Sequence, residues 1–197
     1  MKTNPADAQD AWVSVFIGGS RRLGQVNAEV AHRLDNIIQK QLRVLVGDAN
    51  GFDRAVQAYL AEHGYQTVVV YCTAGECRNN VGNWPLHAVE YQGRDRGLEF
   101  YTAKDDAMLR DADYGLFGWD QKSKGTLRNI RKMAEQRKPS AVYVSPLKKF
   151  VTIRTTHDAS ALARDVAANA ATSEDLFSDA WRVAGVDSPA DMVPTHS

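Results

Sequence analysis

The sequence predicts an α/β protein in which a parallel sheet of five or six strands carries helices on both faces and is followed by a helical C-terminal tail. Three observations predict it. Short apolar runs alternate with longer amphipathic ones. Several of the apolar runs end on glycine-bearing turns that lead into the amphipathic stretches. The 197 residues, at 44% hydrophobic and 24% charged content, are enough to bury one substantial core. Strands that alternate with helices pair in parallel, because each helix carries the chain back across a face of the sheet.

Val13 to Ile17 (VSVFI) reads as a buried strand ending at Gly18-Gly19-Ser20-Arg21. Within Asn27 to Gln39, Val30, Leu34, Ile37 and Ile38 recur at helical spacing. Arg43 to Val46 is a second strand, ending at Gly47-Asp48. Phe52 to His63 is a second helix, with Val56, Tyr59 and Leu60 on one face and a stop at Gly64. Thr67 to Cys72 is an unbroken run of the kind buried on both faces of a sheet. Residues 73–100 break the pattern with glycines, a proline and scattered charges. They read as an irregular insertion with a short helical turn near Leu86, a type of loop that is often functional. Periodicity returns with a helix from Thr102 to Arg110, a strand from Tyr114 to Trp119, a helix from Thr126 to Arg137 and a strand from Ala141 to Val144. Phe150 to Ile153 adds a sixth strand. Residues 1–154 thus form one Rossmann-like domain. Residues 155–197 form a helical extension, with helical patterns over Ala161 to Ala171 and Glu174 to Val183.

Composition sets limits on function. Lys+Arg and Asp+Glu both number 24, so the formal net charge is zero. A general nucleic-acid binder carries a basic excess, so this balance argues against nucleic acid as a partner. A small anionic ligand needs only local positive potential. Cys72 and Cys77 lack CxxC spacing and are too few for a zinc site. They read as reduced thiols of a cytoplasmic protein, a disulfide requiring an oxidising compartment. The stretch from Met1 to Asp10 is polar and is not a signal peptide, and no apolar run is long enough to span a membrane. His32, His63 and His157 have no metal-ligand spacing, and neither a metal nor a cofactor is expected.

Three turns at the carboxyl ends of predicted strands carry the chemistry, because open α/β sheets bind ligands at that edge. In the first, Gly18 and Gly19 let the backbone approach a ligand, Ser20 adds a hydroxyl, and Arg21 adds a forked cation suited to phosphate. The second is Gly47-Asp48-Ala49-Asn50-Gly51-Phe52-Asp53-Arg54. Here Asp53 either caps the next helix or accepts hydrogen bonds from a ribose. The third, Lys122-Ser123-Lys124-Gly125-Thr126, places cations, a glycine and hydroxyls at a helix N-terminus, where free N–H groups and the helix dipole favour an anion. It is not a P-loop, lacking the GxxxxGK[ST] spacing.

Together these turns resemble the SLOG superfamily, which joins the Lonely-guy phosphoribohydrolases with the DprA-type domains. The resemblance rests on IGGSRR at the first strand and VGDANGFDRAV at the second. A third stretch, DDAMLRDADYGLFGWDQKSKGTLRN, also matches, and the likeness covers about residues 13–145. The second motif is closest to the small relatives with a GGAxGAD-type turn. The resemblance implies a Rossmann-like nucleotide-binding domain that often forms dimers, with the alanine-rich tail as a candidate interface. In the phosphoribohydrolases the motif is PGGxGTxxE. Here Trp119 to Ser123 replaces its PGG segment, its glutamate falls on Asn129, and the family's arginine falls on Lys104. Asn129 can neither act as a carboxylate base nor steady an oxocarbenium ion by charge, so the departure favours binding over hydrolysis. A hydrolase would need another acid, for which Asp53, Glu76, Glu90, Glu99 and Asp106 are candidates.

In the insertion, Arg78, Asn79, Asn80, Trp84, His87 and Arg94 to Arg96 are candidates for a lid that stacks on a base and clamps a phosphate. The expected function is therefore binding of a nucleotide or nucleotide-derived small molecule, as a sensor or binding module. Gly18, Gly19, Ser20 and Arg21 would meet one side of it, Gly47, Asp48, Gly51 and Asp53 the opposite wall, and Lys124, Gly125 and Thr126 a phosphate. The alternative is N-glycosidic hydrolysis of nucleoside monophosphates. Single-stranded DNA binding of the DprA type is the weaker alternative.

Overall fold

The computed structural model describes residues 12–93 and 97–164. Arg94 and the part of the C-terminal extension beyond residue 164 lie outside the described residues. The chain runs β1 (Ser14–Gly19), α1 (Ala28–Gln39), β2 (Arg43–Gly47), α2 (Phe52–Glu62), β3 (Val68–Thr73) and β4 (Leu86–Val89). It continues through α3 (Leu98–Asp111), β5 (Tyr114–Trp119), α4 (Lys124–Glu135), β6 (Ser140–Val144), β7 (Lys149–Ile153) and α5 (Thr156–Arg164). The seven strands form one sheet in the order β4-β3-β2-β1-β5-β6-β7. All neighbours pair in parallel except β6 and β7.

Side chains along a strand alternate between faces, and here the alternation divides two cores. Val15, Ile17, Val44 and Val46 face α1 and α2, where Val30, Leu34, Ile37, Val56 and Leu60 are buried. Phe16, Leu45, Phe117 and Val142 face the opposite layer, with Met108 of α3, Ile130 and Met133 of α4, and Ala159 and Leu162 of α5. The start of the C-terminal extension is thus packed into the second core.

Two expectations need correcting. The segment near Leu86 is an edge strand, not a helical turn. It hydrogen-bonds beside β3 but keeps Leu86 half-exposed, so no apolar alternation marks it in the sequence. The strand at Lys149–Ile153 joins antiparallel, because only a short 3₁₀ turn (Ser145–Leu147) separates it from β6 and no crossover helix intervenes.

From β1 the chain builds outward through β2, β3 and β4, then returns to place β5 on the other side of β1. The loops after β1 and β5 therefore leave the sheet in opposite directions and open a crevice at its carboxyl edge.

Candidate functional site

The three turns converge on that crevice. Ser20 N donates to Gly118 O at 2.9 Å, tying the end of β1 to β5, and Phe52 N donates to Ser20 O at 3.4 Å, tying it to the start of α2. Gly51 has φ +83°, and a Cβ there would lie 2.2 Å from Arg21 O. The second turn passes so close under the first that only glycine fits, which is the local reason for Asn50-Gly51 before α2. Gly19 is similarly confined: its Cβ would meet Gly118 O and the Phe52 ring, both at 2.6 Å.

The resulting cleft has a volume of about 510 Å³. Of the residues expected at the site, Gly18, Gly19, Arg21, Asp53, Arg78, Lys104, Gly125, Thr126 and Asn129 line it. Ser20 is fully buried behind the wall. Its Oγ donates to Asp120 Oδ1 at 2.9 Å and accepts from Asp120 N at 3.1 Å. Gly47, Asp48 and Gly51 stand behind the lining, and Lys124 points outward as an exposed residue. Asp53 does not cap α2, since Gly51 holds that position. Its carboxylate accepts from Ala49 N at 3.3 Å instead.

The insertion contributes unequally. Arg78 reaches the cleft and grips Asp48 with two side-chain hydrogen bonds of 2.8 and 3.0 Å. Asn79 fastens the loop to the second turn through Asp48 O and Asn50 Oδ1. Trp84 is no lid residue: it is 3% exposed within the first core and donates its indole N–H to Tyr65 O. His87 stacks on Tyr71 with centroids 4.4 Å apart. Glu90 and Glu99 are exposed and outside the cleft lining. Glu76 borders a side chamber of about 110 Å³ beyond Arg78. Asp106 turns away from the cleft and pairs with Arg128 and Lys132.

The floor is an acidic cluster around one lysine. Lys104 Nζ donates to Asp105 Oδ1 at 2.8 Å and lies 3.9 Å from Asp48 Oδ1. Asp53 Oδ2 and Lys104 Nζ both stand over Gly47, where an added Cβ would fall 2.6 and 2.7 Å from them. Asn129 Nδ2 donates to the other oxygen of Asp105 at 2.9 Å. The positions that the resemblance assigned to the family's arginine and glutamate are thus joined by Asp105, a residue sequence reasoning missed. Burial pushes the Asp53 carboxyl up to about 6; Lys104 pulls it back, and Asp105 and Asp48 add to the rise. Burial alone would lower Lys104, but the charges of Asp105, Asp53 and Asp48 outweigh it and hold the ammonium above its ordinary value. Burial would likewise raise Asp48, but the Arg78 hydrogen bonds and the Lys104 charge hold it below the usual carboxylate range.

The α4 turn is largely satisfied from within. Asp120 Oδ1 accepts from Lys122 N at 3.0 Å and Ser123 N at 2.7 Å, and Ser123 Oγ accepts from Thr126 N at 3.3 Å. The Thr126 hydroxyl donates to Ser123 Oγ at 2.9 Å. Lys124 N and Gly125 N, the first amides of α4, have no intrahelical acceptor by position. The space around Gly125 is open.

The rim supplies what the floor does not. Tyr101 is 41% exposed, and the guanidinium carbons of Arg21 and Arg78 lie 5.6 and 5.9 Å from its ring centroid. Arg22 and Lys122 complete an exposed cationic margin. Tyr101 escapes a sequence reading that starts its helix at Thr102. α3 begins at Leu98, which puts Tyr101, Lys104 and Asp105 on one face at helical spacing.

Fold and site together define a Rossmann-like α/β protein with a polar cleft at the switch point of its sheet. Two solved structures of similar fold are DNA-processing proteins. One is DNA processing protein A from Helicobacter pylori, described for its single-stranded DNA binding mode. It superposes with a TM-score of 0.53 at 16% identity, over 69% of this chain and 68% of that one. Another is DNA processing protein A (DprA) from Streptococcus pneumoniae, with a TM-score of 0.51 at 15% identity, over 68% of this chain and 50% of that one. No protein-family model and no curated protein matches the sequence. The likeness is one of fold: a Rossmann-like α/β sheet.

Two expectations, a small nucleotide-derived ligand and nucleic acid as an unlikely partner, are corrected by this comparison, because the Helicobacter pylori protein of like fold is described for its single-stranded DNA binding. The second was drawn from the zero net charge. A sum over the whole chain says nothing of where individual cations stand, and here Arg21, Arg22, Arg78 and Lys122 share one rim.

Proposed function

We propose that the cleft binds single-stranded nucleic acid, with DNA the first candidate. The observation that carries this reading is the half-exposed Tyr101 ring at the cleft mouth with two guanidinium groups against it. Single-strand binders combine aromatic platforms, on which bases stack, with cations that track the phosphates. In this reading Tyr101 takes a base, and Arg21, Arg22, Arg78 and Lys122 take phosphates along the rim. The floor excludes phosphate, because Asp53 and Asp105 present carboxylates there. It accepts instead a base edge, which hydrogen-bonds without charge. A duplex keeps its bases stacked internally and cannot offer one to Tyr101 without flipping it out.

Fluorescence anisotropy with a labelled single-stranded oligonucleotide, its duplex and a competitor mononucleotide tests the proposal. Single strands should bind more tightly than duplex and should not be displaced by the mononucleotide at comparable concentration. Equal affinity for duplex, or no oligonucleotide binding at low salt, would overturn it.

A further inference from the structure

Cys72 and Cys77 stand outside the cleft lining, and a hairpin turn sets their placement. β3 ends at Thr73, and Ala74 and Gly75 both take positive φ, 54° and 73°. Two consecutive positive φ values make the two-residue turn whose twist suits a tight hairpin. Glu76 N donates to Thr73 O at 3.1 Å, and the two residues form an antiparallel bridge. Thr73 and Glu76 are therefore the closing hydrogen-bonded pair. One position further out on each side stand Cys72 and Cys77; in a hairpin of this register such positions are of the non-hydrogen-bonded kind, in which Cα atoms typically approach to about 4.5 Å. Disulfides span Cα separations of about 4.4–6.8 Å, a range that includes this register. Their Sγ atoms already lie within 4.8 Å of each other.

We propose that Cys72 and Cys77 are a thiol–disulfide modification site, closing reversibly by exchange with a low-molecular-weight disulfide. Cys77 is half-buried and Cys72 is 1% exposed, so only Cys77 can meet an incoming disulfide. The Cys77 thiolate attacks one sulfur of that disulfide and forms a mixed disulfide. The first leaving thiolate takes up the proton that Cys77 gave to solvent. Cys72 then loses its proton and attacks the Cys77 sulfur, and the second small thiolate leaves and is protonated. Two protein thiols and one small disulfide become one protein disulfide and two small thiols. Burial and the neighbouring Cys77 thiol hold Cys72 above the usual thiol range, so the more exposed Cys77, and not Cys72, starts the exchange.

A metal is the competing occupant, since Asp48 offers an oxygen within the same 4.8 Å. Arg78 already holds both Asp48 oxygens, and Lys104 lies 3.9 Å from one of them, so a cation would enter against two fixed positive charges. The disulfide has no such opposition. It replaces the weak Cys77 Sγ–H bond to Asn79 O, at 3.3 Å, and fastens the segment carrying Arg78 to β3.

Glutathione buffers of stepped oxidised-to-reduced ratio, applied to the full chain before acid quenching, alkylation and peptide mass analysis, test this. The wild type should pass from two alkylated thiols to one internal disulfide with no lasting glutathione adduct. Cys72→Ala should accumulate a glutathione adduct at Cys77, and Cys77→Ser should leave Cys72 unmodified. Two alkylatable thiols surviving the most oxidising buffer would overturn the proposal, as would a wild-type end state glutathionylated at Cys77. So would one equivalent of zinc that stays with the reduced chain through dialysis and blocks alkylation. The wild-type arms decide the question even where the Cys72 variant folds poorly.

Discussion

At the scale of single residues, the cleft separates two tasks that one side chain cannot perform. Tyr101 gives an uncharged flat surface and the arginines beside it give charge. If bases stack on the ring, Tyr101→Ala should weaken single-strand binding by about 1–3 kcal/mol, roughly 5- to 150-fold. Tyr101→Phe should stay near wild type, because stacking does not need the hydroxyl. Anisotropy titrations of both variants decide it, and equal losses would mean that the ring is not the platform. Asp53 supports a second prediction, on stability. Its carboxyl titrates near 6 in the folded chain, against about 3.9 when unfolded. Between those values the native state holds a proton the unfolded chain has released, so this group's contribution falls as pH rises from about 4 to about 6. Above that window the buried charge is a full burden on the fold. Asp53→Asn should therefore stabilise the protein at pH 8 by something on the order of 2–3 kcal/mol and have little effect near pH 4. Denaturant melts of both proteins at the two pH values test it, and a difference independent of pH would remove Asp53 as its source.

At the scale of elements, the turns are held by contacts of unequal strength. Ser123 caps α4 with an acceptor for Thr126 N and also receives the Thr126 hydroxyl. Ser123→Ala should cost about 1 kcal/mol and lower the melting temperature by about 2–4 °C in a chain of this size. Gly51 and Gly64 make a sharper comparison, because both have positive φ but only Gly51 lies against another segment. Gly64→Ala should cost only the local backbone strain, about 1 kcal/mol. Gly51→Ala should cost more and also reduce oligonucleotide binding, since its Cβ collides with Arg21 O and displaces the neighbouring cation. These elements also show where the sequence was readable. β1, β2, β3, β5 and β6 are apolar runs buried on both faces, and α1, α2 and α4 carry apolar residues at helical spacing, so hydrophobic periodicity found them. β4 was not legible because an exposed edge strand gains little from apolar side chains. The first turn of α3 was hidden by glycines and charges just before it, and with it went the helical face shared by Tyr101 and Asp105. The glycine turns pointed to the correct edge of the sheet. What they could not show is that several of their polar groups, such as the Ser20 hydroxyl and Thr126 N, are bonded inside the protein.

At the scale of the whole molecule, a formal charge of zero coexists with a cleft whose rim is cationic and whose floor is acidic. Long-range attraction to a polyanion depends on the summed field, whereas contact affinity depends on the few cations that reach phosphates. Such a chain should bind a single strand without the steep salt response of a basic protein. Each phosphate neutralised on a single strand contributes about −0.7 to the slope of log K against log salt. If Arg21, Arg22, Arg78 and Lys122 all engage, the slope should be no steeper than about −3, and each removed cation should flatten it by about 0.7. Arg78→Gln would also free Asp48, a buried carboxylate, to face the cleft, so its affinity loss should exceed that of Arg22→Gln at every salt concentration while the two slopes stay equal. Anisotropy titrations across a salt series give slope and intercept separately. A slope much steeper than the four cations allow would place the nucleic acid on another surface of the molecule, and the cleft would lose its claim as the binding site.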